Sequence, residues 1–288
     1  MIKKGVVLTN AIVQAELDEA LFNEGLDYLA QFELGAIEFY TNEELAPRYG
    51  KAVMDRGFEP VFIAALDQKR NSDCRICSED ENQRIRSVEI ARRAVAKAIS
   101  TGAKRAIIHG GTYPQDAVNE VRCMHAVEKS LQELSAFAGS DIKLLLEPCD
   151  RSVELFHLFG PSMQVYSLMK RLSLANLGLT MDSAHITELF EDPYDSFRLC
   201  KPYCDHIHIA NCTMDPTSDQ FGDKHPLFGV EKSSFTSEEG RLIYEDACQL
   251  YEDDTLYISL EMIGRDVPPM EYLASLIANA GWFFTTLN

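Results

Sequence analysis

The sequence contains few basic residues and no long run of them. Its 288 residues include 27 lysines and arginines against 45 aspartates and glutamates, which gives a formal net charge of −18 at pH 7. A chain with this charge repels the phosphate backbone of nucleic acids unless a local basic groove offsets the repulsion. Because no cluster of lysine and arginine supplies such a groove, we expect no nucleic-acid partner.

Long apolar segments are also missing. The first residues, MIKKGVVLTN, hold two lysines but only a short apolar run, shorter than the apolar region of a signal peptide. No later segment approaches the roughly 20 consecutive apolar residues that a membrane-spanning helix needs. We therefore expect a cytoplasmic protein with no membrane partner.

Cysteine is present, but not in the arrangement that binds structural zinc. Cys74 and Cys77 form one C-x-x-C pair, and Cys200 and Cys204 form a looser pair far away in the chain. A zinc site of this type needs two such pairs at suitable spacing. Most of the eight cysteines lie in apolar patterns, which is typical of small buried side chains in a reducing compartment.

Apolar runs and helical patterns alternate along the chain. Eight runs have the character of buried strands: residues 5–9, 36–40, 60–66, 105–109, 142–147, 177–182, 206–210 and 256–262. Helical spacing of apolar residues lies between them, including 17–32, 85–100, 118–138 and 235–251, and a final helix over 268–284 opens with proline. Strands separated by helices pair in parallel, and eight such units favour a closed (β/α)8 barrel of the α/β class. No Gly-, Pro- or Ser-rich linker interrupts the pattern, so residues 1–288 are predicted to form a single domain.

Side chains that can bind a metal fall at the carboxyl ends of the predicted strands. They are His109, Glu147, Asp182, His208 and Glu261. The carboxyl ends of all strands in such a barrel meet at one mouth, which predicts that these side chains form one ring. Each has an ordinary alternative, since Asp182 could cap a helix and His208 could be a hydrogen-bonded core histidine. A shared metal site explains them together, because burying Glu261 without a partner would cost several kcal/mol.

Three carboxylates and one imidazole are a mostly oxygen-rich set of ligands. Such a set favours one Mn²⁺, Mg²⁺ or Co²⁺ ion, with Zn²⁺ also open through the histidine. His185 follows Asp182 by three residues and is predicted to face the same mouth, where it either supports a metal ligand or contacts substrate. His206 precedes His208 on the same strand face, which predicts a deeper, supporting position. The long, weakly patterned stretch 212–234 is predicted to be functional.

These residues resemble those of the xylose isomerase-like barrel superfamily, which includes sugar isomerases, sugar epimerases and the endonuclease IV class. The motifs LEP, MDSAH, HIH and SLE at strands five to eight match its recurring ligand positions. The resemblance implies a sugar or sugar-phosphate isomerase or epimerase in which Glu147 and Glu261 transfer a proton through an enediolate. It implies one divalent ion bound by Glu147, Asp182, His208 and Glu261, and a carbohydrate substrate contacted by His109, Arg151, His185, Asp223 and His225. Since relatives often form dimers or tetramers, it also implies a homo-oligomer.

Two positions depart from the pattern of ketose 3-epimerases. Their second glutamate lies six residues after the first, where this chain has Val153, with Glu154 one residue further on. Their arginine six residues after the ligand histidine is here Met214. The resemblance therefore specifies the superfamily better than it specifies the substrate.

Other functions stay open at the level of sequence. GDKH, residues 222–225, matches the D-x-H motif of endonuclease IV, a zinc phosphodiesterase; that class also needs an earlier histidine, and none precedes His109. The same motif followed by glycine occurs in sugar isomerases and in inosose dehydratases, so a lyase that dehydrates a cyclic polyol ketone is another alternative. A non-catalytic ligand-binding barrel would leave the ring of carboxylates unexplained.

Overall fold

Eight parallel strands close into a barrel in a computed structural model that describes residues 1–64, 74–111, 120–252, 255–265 and 267–287. Each strand is hydrogen-bonded to the next in chain order, and the eighth pairs with the first. The strands are β1 Ile2–Val7, β2 Ala36–Phe39, β3 Glu59–Ile63, β4 Arg105–His109, β5 Lys143–Glu147, β6 Leu177–Asp182, β7 Cys204–Ile209 and β8 Leu256–Leu260. This confirms the predicted (β/α)8 barrel.

Helices connect the strands around the outside of the barrel. Among the described residues they are α1 Leu8–Ala11, α2 Glu19–Leu29, α3 Ala46–Asp55, α4 Glu81–Ser100, α5 Glu120–Ala138, α6 Ser162–Leu172, α7 Ser183–Glu188, α8 Pro193–Cys200, α9 Ser237–Leu250 and α10 Pro269–Asn279, with a 3-10 turn at Val13–Glu16. Local chemistry fixes several of their starts. The Asp80 carboxylate accepts from two backbone N–H groups at the start of α4, and Thr236 and Glu239 form a capping box on α9.

Several element boundaries differ from the sequence prediction by a few residues. The last strand, predicted over 256–262, ends at Leu260, so Glu261 lies one residue beyond it. The apolar pattern predicts a first strand over 5–9, whereas β1 begins three residues earlier and Leu8 already belongs to α1. Lys3 and Lys4 hide the start of β1 from the pattern, and both find partners at the amino-terminal rim: Lys3 pairs with Glu59, and Lys4 Nζ donates to the Phe283 carbonyl at 2.9 Å. Residues 65, 66, 118 and 119 of two predicted elements lie outside the described residues.

The strands are apolar on both sides because helices cover their outer face and side chains fill the barrel interior. Every residue of β6 is buried, and none of the eight cysteines forms a disulfide; seven of them are buried. A few polar side chains are also enclosed completely, among them Glu38, His206 and Ser259. Across the described ranges, no helix combines the length and apolar character that spanning a membrane requires.

Candidate metal centre

The four predicted metal ligands converge at the carboxyl end of the barrel. One ligand atom from each of Glu147, Asp182, His208 and Glu261 lies within 4.8 Å of the others. His208 Nδ1 is 2.6 Å from Glu261 Oε2, 3.0 Å from Glu147 Oε1 and 3.7 Å from Asp182 Oδ2. The side chains of Glu147, Asp182 and His208 are buried, and the Glu261 side chain is 12% exposed. Strand order therefore brings together residues that are far apart in sequence.

Two carboxylate oxygens of this cluster show how well it suits a cation. Asp182 Oδ1 caps α7 by accepting from the N–H groups of Ala184 and His185 at 2.6 and 3.0 Å, while its Oδ2 is buried without a hydrogen bond from any described residue. Glu261 Oε1 accepts from Asn10 Nδ2 at 2.6 Å, while Oε2 is likewise left without a well-aligned donor. Buried polar atoms rarely stay unsatisfied, so these oxygens, with Glu147 and His208, fit a divalent ion.

The protonation states of the carboxylates follow from their neighbours. Burial alone raises the pKa of the Glu147 carboxyl, but hydrogen bonds with His109 and His208 hold that pKa well below its ordinary value. Burial also raises the pKa of the Glu261 carboxyl, but the positive charge of His208 beside it outweighs burial, so the pKa of Glu261 lies below its ordinary value. Burial dominates at Asp182 and raises its pKa to about 6. Glu147 and Glu261 are therefore carboxylates at neutral pH, the form that accepts protons and binds cations.

A cavity of about 360 Å³ opens beside the cluster. Five residues besides the metal ligands are predicted from the sequence to contact substrate, and all of them except Arg151 line this cavity. The polar part of its wall consists of His109, His185, Asp223 and His225, together with Glu147 and Glu261. Apolar side chains complete the wall, including Tyr40, Ile63, Leu155 and Ile263. The cavity thus combines groups that hydrogen-bond hydroxyls with an apolar surface.

Each histidine of the wall has an acidic neighbour. His109 Nε2 is 3.1 Å from Glu147 Oε2, and His225 Nε2 is 3.1 Å from Asp223 Oδ1. His185 Nδ1 is 3.3 Å from Oε2 of the buried Glu188. These contacts orient the rings, so that their positions around the cavity are fixed by the protein itself.

The long segment after β7 carries part of this wall. Asn211 fastens it at two points, because its Nδ2 donates to the carbonyls of Leu227 and Phe235, each at 3.1 Å. Within the segment, Asp223 and His225 reach the cavity, and His225 has a φ of +43°, a strained value for a residue other than glycine. Its carbonyl accepts from the N–H of Ile263 at 2.9 Å.

Three other residues singled out in the sequence, Arg151, Met214 and Glu154, do not line the cavity. Arg151 does not line the cavity, and its guanidinium is 3.0 Å from Glu120 at the start of α5. Met214 packs in an apolar cluster with Ala184, Ala210 and Cys212. Glu154 pairs with Lys224, which lines the cavity, so this acid reaches the mouth only through the lysine.

The structure adds residues that the sequence prediction missed. Asn10 in α1 bonds Glu261, and Cys149, whose thiol pKa is raised by burial, lines the cavity two residues after Glu147. Glu38 in β2 lies 3.0 Å from His208 Nε2. In the sequence, only the position of Glu38 inside the apolar run AIEFY indicated that this residue could have a role in the site. No sequence feature indicated such a role for Asn10 or Cys149.

The metal-free cluster should lose stability as the pH rises above neutrality. Burial alone lowers the pKa of the His225 imidazole, but Asp223, Asp182 and Glu261 raise it to about 9. For His208, burial is likewise opposed by Glu261 and Glu38, which raise its pKa well above the ordinary value. Stability from a raised pKa is complete below the unfolded value of about 6.5 and is lost as the pH passes the folded value.

We therefore expect the free energy of unfolding of the metal-free protein to fall between about pH 7 and pH 9. Metal affinity should rise over the same range, because a cation binds neutral imidazole and must displace the proton. Urea denaturation and calorimetric metal titration at several pH values measure the two trends. His225→Gln should flatten the first; a stability independent of pH in this range would contradict the expectation.

Comparisons with known proteins agree with the fold and the motifs. A family model described as xylose isomerase-like TIM barrel matches residues 25–278. The structure of L-ribulose 3-epimerase is similar over 98% of this chain and 93% of that chain, with a TM-score of 0.74 at 17% identity. The 3-keto-D-glucoside 4-epimerase of E. coli is similar over 98% and 99%, with a TM-score of 0.70 at 15% identity.

A D-tagatose 3-epimerase-like protein is similar over 97% of this chain and 98% of that chain, with a TM-score of 0.69 at 19% identity. Among curated proteins, none matches this sequence. At these identities the solved structures establish the fold, and the family model covers most of the chain. The chain belongs to the xylose isomerase-like TIM barrel family.

Proposed function

We propose that this protein is a sugar isomerase or epimerase that depends on one divalent metal ion. The observation that supports this most strongly is the cluster of Glu147, Asp182, His208 and Glu261 beside a cavity lined by histidines and acids. Three carboxylates and one imidazole suit Mn²⁺, Co²⁺ or Mg²⁺, and also Zn²⁺. The similar structures of L-ribulose 3-epimerase and 3-keto-D-glucoside 4-epimerase agree with a carbohydrate substrate here.

The reaction needs a proton to leave and return at a carbon beside a carbonyl group. A divalent cation, held by Glu147, Asp182, His208 and Glu261, would supply Lewis acidity at the carbonyl and the adjacent hydroxyl. Glu147 and Glu261, held as carboxylates by the neighbouring histidines, accept the proton from the carbon and return one to it. Asn10 holds Glu261 Oε1 at 2.6 Å and so restricts the rotation of this carboxylate.

The cavity wall orients the substrate in this proposal. His109, His185, Asp223 and His225 line the cavity, and their ring nitrogens and carboxylate are groups that hydrogen-bond sugar hydroxyls. The apolar part of the wall, with Tyr40 and Ile63, excludes water from the reacting carbon. Neither nucleic acid nor a membrane has a part in this proposal, and cytoplasmic location and homo-oligomerisation stay predictions from the sequence.

Hydrogen exchange tests the proposal. The metal-loaded protein is incubated in D₂O with a panel of L-ribulose, D-tagatose, D-allulose, D-fructose and a 3-keto-D-glucoside, and the sugars are followed by NMR. Deuterium entering at the carbon beside the carbonyl, without loss of water, is the expected result. Loss of water would instead identify a lyase, and a panel that stays unlabelled would contradict the proposed activity on these sugars.

A zinc phosphodiesterase is a second candidate, because two further groups of potential metal ligands share a carboxylate with the first; a third group, Glu38, His206 and His208, shares its histidine. Of the two further groups, one consists of Asp182, His185 and His225, and the other of His109, Glu147 and Cys149. Each shares a carboxylate with the four-residue cluster, as expected where two or three ions lie close together. The number of ions bound per chain separates this candidate from the first.

A further inference from the structure

A second layer of polar side chains lies beneath the candidate metal ligands. Glu38, His206 and Ser259 are completely buried inside the barrel, on β2, β7 and β8. Glu38 Oε2 is 3.0 Å from His208 Nε2, and Glu38 Oε1 is 2.8 Å from His206 Nε2. His206 Nε2 also lies 3.2 Å from Ser259 Oγ. The layer thus connects three strands to the one histidine among the four candidate ligands.

The two ring nitrogens of His208 face different partners. Nδ1 faces the carboxylates of Glu147 and Glu261, where a cation requires a lone pair, and Nε2 faces Glu38. A carboxylate only accepts hydrogen bonds, so Glu38 is satisfied when Nε2 carries the proton. That tautomer leaves the lone pair on Nδ1, pointing toward the other ligands. A carboxylate behind a ligand histidine also fixes the plane of the ring and increases its basicity.

Burying a carboxylate among apolar side chains is costly unless it is paired, and Glu38 is enclosed completely within the apolar strand β2. We propose that Glu38 is a positioning residue that sets the tautomer and orientation of His208 for metal binding, with His206 and Ser259 holding Glu38 in place; this rests on the proposed function. Glu38 does not line the cavity, so it acts through His208 rather than on a substrate.

The surroundings of the layer are built to hold it. A Cβ atom on Gly5 would lie 2.4 Å from Ser259 Oγ, so the glycine leaves room for the hydroxyl beside His206. His206 Nε2 lies 2.8 Å from the second oxygen of Glu38, and this ion-pair contact opposes rotation of the carboxylate away from His208. His206, the deeper histidine of β7, therefore has a defined part: it holds Glu38, and Glu38 in turn orients the ligand histidine His208.

Metal affinity measures the proposed role directly. Glu38→Gln keeps the size of the side chain but removes its charge, and calorimetric titration of the chelator-treated protein with Co²⁺ should give a Kd about 10–100-fold weaker. Glu271→Gln makes the same change at an exposed position on α10, away from this layer, and is the matched control; its Kd should equal that of the wild type. The visible absorption of bound Co²⁺ should change in Glu38→Gln only.

The wild-type protein provides a second test that needs no variant. With Zn²⁺ bound and the histidines labelled with ¹⁵N, NMR should show the proton of His208 on Nε2 and the metal on Nδ1. Metal on Nε2 would overturn the proposal, and so would an unchanged Kd and spectrum in Glu38→Gln. The proposal would also be overturned if the wild type bound a second ion that is lost in Glu38→Gln alone, because Glu38 would then be a metal ligand itself. If the wild type binds no divalent ion, the proposed function itself fails.

Discussion

Glu261→Gln should lower the rate of deuterium exchange into a sugar substrate by about 10²–10⁴-fold, the usual contribution of a positioned acid or base. Glutamine has nearly the same shape as glutamate but cannot accept a proton at neutral pH. Its carbonyl oxygen would take the place of Oε1 as the acceptor for Asn10 Nδ2, which directs its NH₂ group toward His208 Nδ1. The substitution therefore removes the base and weakens the ion site together.

The measurement must separate these two effects. Exchange is followed by NMR with Mn²⁺-free, Mg²⁺-saturated protein, and the bound ion is counted by elemental analysis in the same sample. Glu271→Gln, the same substitution at an exposed position on α10, is the control and should keep full exchange. Undiminished exchange in Glu261→Gln at full metal occupancy would remove Glu261 from the mechanism.

Removing the metal should be the second large effect. Three carboxylates within 4.8 Å of one another repel when no cation lies between them, and part of the folding free energy then depends on the ion. At an ion concentration of about 100 times Kd, binding contributes about 2.7 kcal/mol. In a chain of 288 residues that corresponds to roughly 4–5 °C in Tm. Chelation should lower Tm by this amount and abolish exchange, and Mn²⁺, Co²⁺ or Mg²⁺ should restore both.

Asp182→Asn provides the matched variant for this prediction. The asparagine carbonyl can still cap α7, as Asp182 Oδ1 does, but its NH₂ group replaces the oxygen that faces the cluster. The variant should fold and show little rise of Tm with added ion. Elemental analysis should find one ion in each wild-type chain. Three zinc ions per chain would contradict the isomerase proposal and favour the phosphodiesterase.

The barrel and the ring of ligands could be predicted because both follow from position in a repeat. Glu147 and Asp182 end their strands, so the carboxyl ends of parallel strands bring them together without any knowledge of side-chain contacts. The supports could not be found in this way. Glu38 and His208 are 170 residues apart, and their contact crosses the barrel interior, where it depends on register and strand tilt.

Side-chain direction is the other feature that sequence patterns do not specify. Arg151 follows a candidate ligand closely, yet its guanidinium turns to Glu120 on α5. Asp150 beside it is buried and accepts from four backbone N–H groups, those of Ser152, Val153, Glu154 and Leu155, which sets the course of this loop. Such local hydrogen bonding decides which side chains reach the cavity.

The four candidate ligands all belong to the second half of the chain, on β5, β6 and β7 and directly after β8, whereas Asn10 and Glu38 come from the first half. During synthesis, Asn10 and Glu38 leave the ribosome long before the residues they orient. The ligand set is complete only after β8 has formed and paired with β1, the step that closes the barrel. A half-barrel of β5 to β8 with the residue that follows β8 would therefore carry every candidate ligand but hold His208 and Glu261 without their supports, Glu38 and Asn10.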